Sequence, residues 1–414
     1  MELKIEDVAA RAGADVRYVR RLIDLGAIGP ERDGFSERDA HVVALLQVWE
    51  RAGLPAESIL SAVESGELSL DFLETPGWDL PAPLDRTYRQ LAQERGVPVD
   101  LLLAIHGSIG FAPPDPDEWA RPDDALMADL ARIALEIGGS EDSVRRLFRV
   151  YADNLRRLVI AEADLYVEQI EEPRRRAGAT SPELMRGGAE VGQRIAALVK
   201  DTIGAIYERH RQHIWAQHSV ETAEGVLERA GLTDRAERVP TICFVDLTGY
   251  TRLTEEHGDE TAARLASRLN ALVDGVALRH GGRPVRWLGD GGMFLFPEAT
   301  AAVRAALEMT EGAPAAGLPP THIGIHSGPV VFQDGDVYGR TVNVASRIAD
   351  LAQAGDVLTT EETMQQAKGA EVGWVRIGPT ELQGVGKPVI LYRAVASTST
   401  VRTSQSRTVP YTLS

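Results

Sequence analysis

The chain has 414 residues, 44% of them apolar and 25% charged, the composition of a soluble globular protein long enough for two or three packed units. Its formal net charge of −17 argues against a general nucleic-acid binder, which would present a basic surface to phosphates. Cys243 is the only cysteine, so neither an intramolecular disulfide nor a cysteine-built zinc site can form within one chain.

The opening MELKIEDVAARAG lacks the basic start and apolar run of a secretory signal. No unbroken apolar stretch reaches the roughly 18 to 20 residues that a bilayer requires. The expectation is a cytoplasmic protein without a transmembrane segment.

Up to Leu73, short helical periods are broken by Gly13, Gly26, Gly34 and Gly53, the pattern of small helices joined by tight turns. Residues 5–13 followed by 16–28 resemble the helix-turn-helix of MerR-type regulators, with 35–39 as a degenerate wing. Arg17, Arg20 and Arg21 would then meet phosphates from the second helix. Acids outnumber bases by 15 to 8 before Pro76, which disfavours DNA as a partner and favours a reused helical fold. Segments 75–85 and 113–124 lack regular periodicity and read as linkers or surface loops.

Between 124 and 231 apolar residues recur at three- and four-residue spacing, as in Leu147, Val150, Tyr151, Leu155 and Leu158, and a helical bundle is expected. Residues 190–230 contain no proline and continue the pattern through Ile195, Leu198, Val199, Ile203, Ile206 and Tyr207. One or two long helices of the kind that pair between subunits should lead into the next domain. His210, His213 and His218 lie near that junction and are read first as a solvated helix face; the alternative is a proton-linked switch.

After Pro240 the pattern changes. TICFVDL, PVRWLGD, GMFLF, THIGIHSGPVVF and PVILYRAV are strand-like, while 255–279, 300–311 and 341–354 are helix-like. This alternation predicts an α+β, ferredoxin-like layered domain. The Ser- and Thr-rich end, 397–414, is expected to be a disordered tail.

Three motifs in this last domain carry chemistry. FVDLTGYT places Asp246 at the end of an apolar strand, before a glycine turn and a helix start. A carboxylate there can hold Mg²⁺ or Mn²⁺, and the free backbone N–H groups of Gly249, Tyr250 and Thr251 can donate to phosphate. RWLGDGG puts Asp290 in a glycine-rich turn, and two strand-end carboxylates can converge on a pair of metal ions. DVYGRTVNVASR sets Asn343 and Arg347 four residues apart, on one helix face.

Together, in this order and spacing, the three motifs resemble the class III adenylate/guanylate cyclase catalytic domain over about 155 residues. The resemblance implies conversion of ATP to 3′,5′-cyclic AMP and diphosphate with two Mg²⁺ or Mn²⁺ ions per active site. Asp246 and Asp290 match the metal-binding aspartates, with the Leu247 carbonyl as a further ligand. Asp336 matches the acceptor for the adenine amino group, Asn343 the residue that orients the ribose, and Arg347 the one that stabilises charge on the reacting phosphate. Arg286 stands where an adenine-contacting lysine is usual, and Gln383 where a triphosphate-contacting base is often found. A forked, planar guanidinium is not a neutral exchange for lysine, and nearby Lys387 is a candidate replacement for the second contact. His326, in the strand-like run, is read as structural.

The resemblance further implies a head-to-tail homodimer with two shared sites. Residues 101–231 look like the helical regulatory region that precedes the cyclase domain in some soluble actinobacterial cyclases, including pH-responsive ones. The expected organisation is a MerR-like helical domain at 1–75, a helical regulatory and dimerisation domain at 76–235, the catalytic domain at 236–396 and the tail. The alternative function is a catalytically weak nucleotide sensor coupled to a DNA- or partner-binding helix-turn-helix.

Overall fold

The computed structural model describes residues 3–29, 34–74, 83–232, 239–367 and 371–396. The expected tail at 397–414 and most of the expected linker at 75–85 lie outside the described residues. The chain divides into two compact units, Met1–Leu232 and Thr233–Ser414. No helix among the described residues is long and apolar enough to cross a membrane.

The amino-terminal unit is helical: α1 Ile5–Ala12, α2 Val16–Asp24, α3 Glu37–Arg51, α4 Ala56–Glu64, a 3₁₀ turn Asp71–Glu74, α5 Tyr88–Arg95, α6 Val99–Ser108, α7 Pro122–Glu136, α8 Glu141–Tyr166, a π turn Val167–Glu171, α9 Glu172–Arg176 and α10 Ser181–Arg229. Local chemistry sets these boundaries. Asp15, Ser36, Thr87 and Ser140 cap α2, α3, α5 and α8 through their side chains, each occupying a backbone N–H that has no partner within its helix. The π turn ends two residues before Pro173, which has no N–H to donate back along the helix.

Two apolar cores form in this unit. One gathers Leu3, Val8, Val19, Leu22, Val42, Leu46 and Phe72, with Ala189 from α10. The other gathers Tyr88, Leu91, Leu101, Ile105, Ala128, Val144 and Phe148. The bundle expected over 124–231 is therefore only partly realised, because α7 and the first turns of α8 pack with α5 and α6. Farther along α8 and α10, Leu155, Val159, Leu165, Leu198, Ile206, Ile214 and Trp215 are exposed. The helical periodicity is real, but among the described residues much of that apolar stripe is left exposed. An antiparallel bridge between Leu3 and Phe35 lies where a wing was expected. Arg17 is paired with Asp15, and Arg21 with Glu50 and Glu57, so two of the three arginines that a DNA-binding reading would need are held by carboxylates.

The carboxy-terminal unit comprises β1 Thr241–Leu247, α11 Tyr250–His257, α12 Asp259–Arg279, β2 Arg283–Trp287, β3 Gly291–Phe296, α13 Ala299–Gly312, β4 Thr321–Ser327, β5 Val331–Gln333, β6 Asp336–Tyr338, α14 Arg340–Leu351, β7 Val357–Thr360, α15 Glu361–Gln366, β8 Val372–Thr380 and β9 Val389–Ala396. Seven strands form one sheet in the order β2-β3-β1-β4-β7-β9-β8, and β5 pairs with β6 separately. The four strands β2-β3-β1-β4 are mutually antiparallel and linked by two helical crossovers, the ferredoxin-like arrangement.

Strand alternation decides which face carries which residues. Cys243, Val245, Leu247, Ile323 and Ile325 pack with α12 and α13 in the main core. Ile242 packs with Ala345 of α14 on the opposite face, so Asp246, in phase with Ile242, also lies on the α14 side. Gly324 allows α14 to rest on β4, since a Cβ there would come within 2.2 Å of the Ala349 nitrogen and 2.5 Å of the Ala345 oxygen.

Candidate active site

β1 delivers Asp246 and Leu247 to the sheet end, while Asp290 sits in the turn joining β2 to β3. The Leu247 N–H donates to the Asp290 backbone oxygen at 3.2 Å and to Asp246 Oδ1 at 2.9 Å, tying the two segments together. Burial first, and then the charge of Asp290, pushes the Asp246 carboxyl up to about 6. Two carboxylates crowded in this way call for cations. Gly291 faces Asp246 across the sheet and keeps the approach clear, because a Cβ there would lie 2.8 Å from Asp246 Oδ1. Among the described residues no three His, Cys, Asp or Glu side chains cluster as a metal site; what this sheet end offers is two carboxylates beside backbone oxygens. That hard-oxygen set fits Mg²⁺ or Mn²⁺.

Gly249, in the left-handed region at φ 77°, starts α11. Thr251 is exposed, whereas the Tyr250 side chain packs against the main core; of Tyr250, the backbone is what remains for phosphate.

Arg286 on β2 is ion-paired with Asp336 at the start of β6. Burial raises the Asp336 carboxyl, but the Arg286 hydrogen bond and the Val337 N–H outweigh it and hold the group below the usual carboxylate range. Asn343 and Arg347 are both exposed on one face of α14. Arg347 Nη1 donates to Asp350 Oδ2 at 2.9 Å, and no hydrogen bond or ion pair joins Asn343 or Arg347 to Asp246 or Asp290 among the described residues. Gln383 and Lys387 are exposed in the segment between β8 and β9. His326 Nδ1 meets Thr360 Oγ1 at 3.0 Å, in keeping with a structural role.

Sequence reasoning passed over His322. Its Nδ1 lies 3.3 Å from Thr248 Oγ1 and its Nε2 3.7 Å from Asp246 Oδ2. Burial lowers this imidazole below its ordinary value against the opposing pull of Asp290 and Asp350. The available signal was strand phase: His322 is in phase with Gly324, which faces α14, and α14 covers the same face as Asp246.

Residues 233–394 match the family model described as the adenylate and guanylate cyclase catalytic domain. The carboxy-terminal unit carries a cyclase catalytic domain. A pH-sensitive adenylate cyclase of Mycobacterium tuberculosis is 28% identical over 324 residues, covering 75% of this chain and 78% of that protein. An adenylate cyclase of Streptomyces coelicolor is 28% identical over 290 residues, covering 69% and 72%. The crystal structure of an adenylyl cyclase from P. aeruginosa is similar at 26% identity, covering 39% of this chain and 95% of that one, with a TM-score of 0.36. Both sequence matches extend beyond the cyclase domain into the amino-terminal unit, since that domain's match spans only residues 233–394.

Proposed function

We propose that this protein is an adenylate cyclase that converts ATP to 3′,5′-cyclic AMP and diphosphate. The observation that carries the reading is the convergence of Asp246 and Asp290 at one sheet end with the Asp246 carboxyl pushed up to about 6. Two bound Mg²⁺ or Mn²⁺ ions would supply activation of the ribose 3′-hydroxyl and neutralisation of the triphosphate. Asp246, Asp290 and the Leu247 carbonyl would hold these ions, and the backbone N–H groups of Gly249, Tyr250 and Thr251 would donate to phosphate oxygens. The 3′-hydroxyl gives up its proton to solvent water, the 3′ oxygen bonds to the α-phosphorus as the α–β bridging bond breaks, and diphosphate leaves with that electron pair.

Asp336 accepts from the adenine amino group with Arg286 beside it. Asn343 orients the ribose, and Arg347 stabilises charge on the reacting phosphate. The match to the cyclase catalytic domain supports a head-to-tail homodimer, each site drawing the carboxylate pair and the Asn343/Arg347 pair from opposite subunits. The exposed apolar residues of α8 and α10 support pairing of the amino-terminal units as well, and with it control of the catalytic domains through dimer geometry. A chain shortened to 236–414 should then differ from the full chain in rate across pH at equal dimer occupancy; identical profiles would remove that control.

Incubation of the purified protein with each nucleoside triphosphate and Mn²⁺, followed by mass spectrometry of the products, tests the activity. Cyclic AMP as the main product is expected, and a preference for GTP, CTP or UTP overturns the substrate. Arg286 and Gln383, standing where the family usually carries other residues, leave a second reading, in which the domain binds nucleotide without turning it over. ATP binding with no product from any nucleotide would establish it.

A further inference from the structure

Asp246 has two neighbours directly across the sheet, Gly291 on β3 and His322 on β4. Gly291 has no side chain, so His322 is the one side chain standing opposite Asp246, at the spacing where cross-strand pairs interact. We propose that His322 is a positioning residue for the metal site: its Nε2–H faces Asp246 Oδ2 while its Nδ1 is held by Thr248. One ring thereby restricts the swing of the Asp246 carboxylate and is tied to Thr248 in the turn that follows it. The inference rests on the cyclase reading and adds a residue to it.

The carboxylate decides the tautomer. An imidazole lone pair aimed at Asp246 Oδ2, 3.7 Å away, would meet like partial charge, whereas an N–H there is attracted. Nδ1 is then the acceptor, and the Thr248 hydroxyl, 3.3 Å distant, is its donor. Both ends of the clamp are anchored in backbone. The Thr248 N–H donates to the Pro320 oxygen at 2.9 Å, and His322 lies within β4, paired in register with Asp246. The 3.7 Å approach is longer than a hydrogen bond, so the ring limits how far the carboxylate can swing instead of locking it. A histidine that orients a ligating carboxylate tunes metal affinity, and losing such a partner typically costs about 10- to 100-fold in affinity.

The test is a Mn²⁺ titration of the full-length protein, read by electron paramagnetic resonance in saturating 3′-deoxy-ATP, which has no 3′-hydroxyl and cannot cyclise. His322→Leu is expected to raise the Mn²⁺ concentration for half-occupancy about tenfold or more. Thr248→Val should shift it in the same direction by less, and His322→Gln, which restores an N–H donor, should recover most of the loss. In steady-state assays the defect should appear in the metal constant more than in kcat at saturating Mn²⁺. A His322→Leu curve that overlays wild type overturns the proposal, as does a His322→Gln curve no better than His322→Leu. If His322→Leu fails to fold, Thr248→Val decides: a Thr248→Val curve overlaying wild type would reject the clamp. Failure of the cyclase reading itself looks different, because Asp290→Ala would then leave Mn²⁺ binding at the wild-type value.

Discussion

Arg286 on β2 and Asp336 on β6 are ion-paired across 50 residues of sequence, so the carboxylate expected to meet adenine is already engaged by the neighbouring base-recognition position. Asp336 Oδ1 also accepts from the Val337 N–H at 2.8 Å. Each carboxylate oxygen retains a second lone pair, and the pair is partly exposed, a setting in which an ion pair contributes little stability. Arg286 therefore orients Asp336 and leaves acceptor capacity for an exocyclic amino group. Asp336→Ala should lower kcat/KM for ATP by about 10- to 100-fold, the worth of one charge-assisted hydrogen bond. Arg286→Lys should retain ATP turnover. Complete loss in Arg286→Lys, with Asp336→Ala little changed, would mean that the base is read by the guanidinium fork.

The crowding of Asp246 by Asp290 makes a prediction for the metal-free protein. A carboxyl whose folded value is raised contributes stability fully below its ordinary range and loses it as pH rises through about 6. Asp290→Asn removes the neighbouring charge. In chelator, its Tm should exceed wild type at about pH 8, and the gap should close towards about pH 4, where Asp246 is protonated in both proteins. Scanning fluorimetry across pH checks this, and a gap independent of pH would show that the two carboxylates do not repel.

The layered fold and the grouping of Asp246 with Asp290 were legible in the sequence because each rests on a local pattern. An apolar strand ending on aspartate announces itself, as does a glycine-rich turn. What escaped depends on contacts distant in sequence or on breaks within a pattern. The helix-like run 255–279 is the end of α11 plus α12, divided at Gly258, whose φ is 81°. The run through THIGIHSGPVVF ends as β4 at Ser327, since Pro329 cannot donate to a sheet ladder. β7 is four residues long and wholly buried, too short for periodicity, and β8 is interrupted by Gly373, Gly378 and Pro379. His322 was invisible because its significance comes from register with Asp246, which no single segment encodes. The exposed length of α10 was likewise unreadable, since an apolar stripe looks the same whether its cover lies in the same chain or in another.

In the amino-terminal unit, Asp124 is 1% exposed. It accepts from Tyr88 Oη at 2.8 Å and from the Arg121 N–H at 2.7 Å, and His106 Nε2 lies 3.0 Å from its other oxygen. Burial raises this carboxyl, but these partners outweigh it and hold the group below its ordinary value. Tyr88→Phe removes one charge-assisted bond from a buried acceptor and should cost about 1.5 to 3 kcal/mol in urea unfolding at neutral pH. Because the folded value is depressed, the stabilisation is present above the ordinary carboxylate range and disappears as pH falls through the folded value; the penalty of Tyr88→Phe should shrink in acid. An unchanged unfolding midpoint at neutral pH would show that the hydroxyl contributes no net stability.

The shared site can be tested by mixing two dead proteins. Asp290→Ala removes a metal ligand and Arg347→Ala removes charge stabilisation at the phosphate, where an arginine in phosphoryl transfer contributes about 10³ to 10⁵ in rate. Each variant alone should be nearly inactive. If the carboxylates come from one subunit and α14 from the other, a mixed dimer holds one wholly intact site and one doubly damaged site. With free exchange about half of the dimers are mixed and each has one working site of two, so activity near about one quarter of wild type should return. Native mass spectrometry counts the mixed dimers independently of activity. Mixed dimers without recovered turnover would place Asp290 and Arg347 in the same site of one subunit and reject the shared-site arrangement.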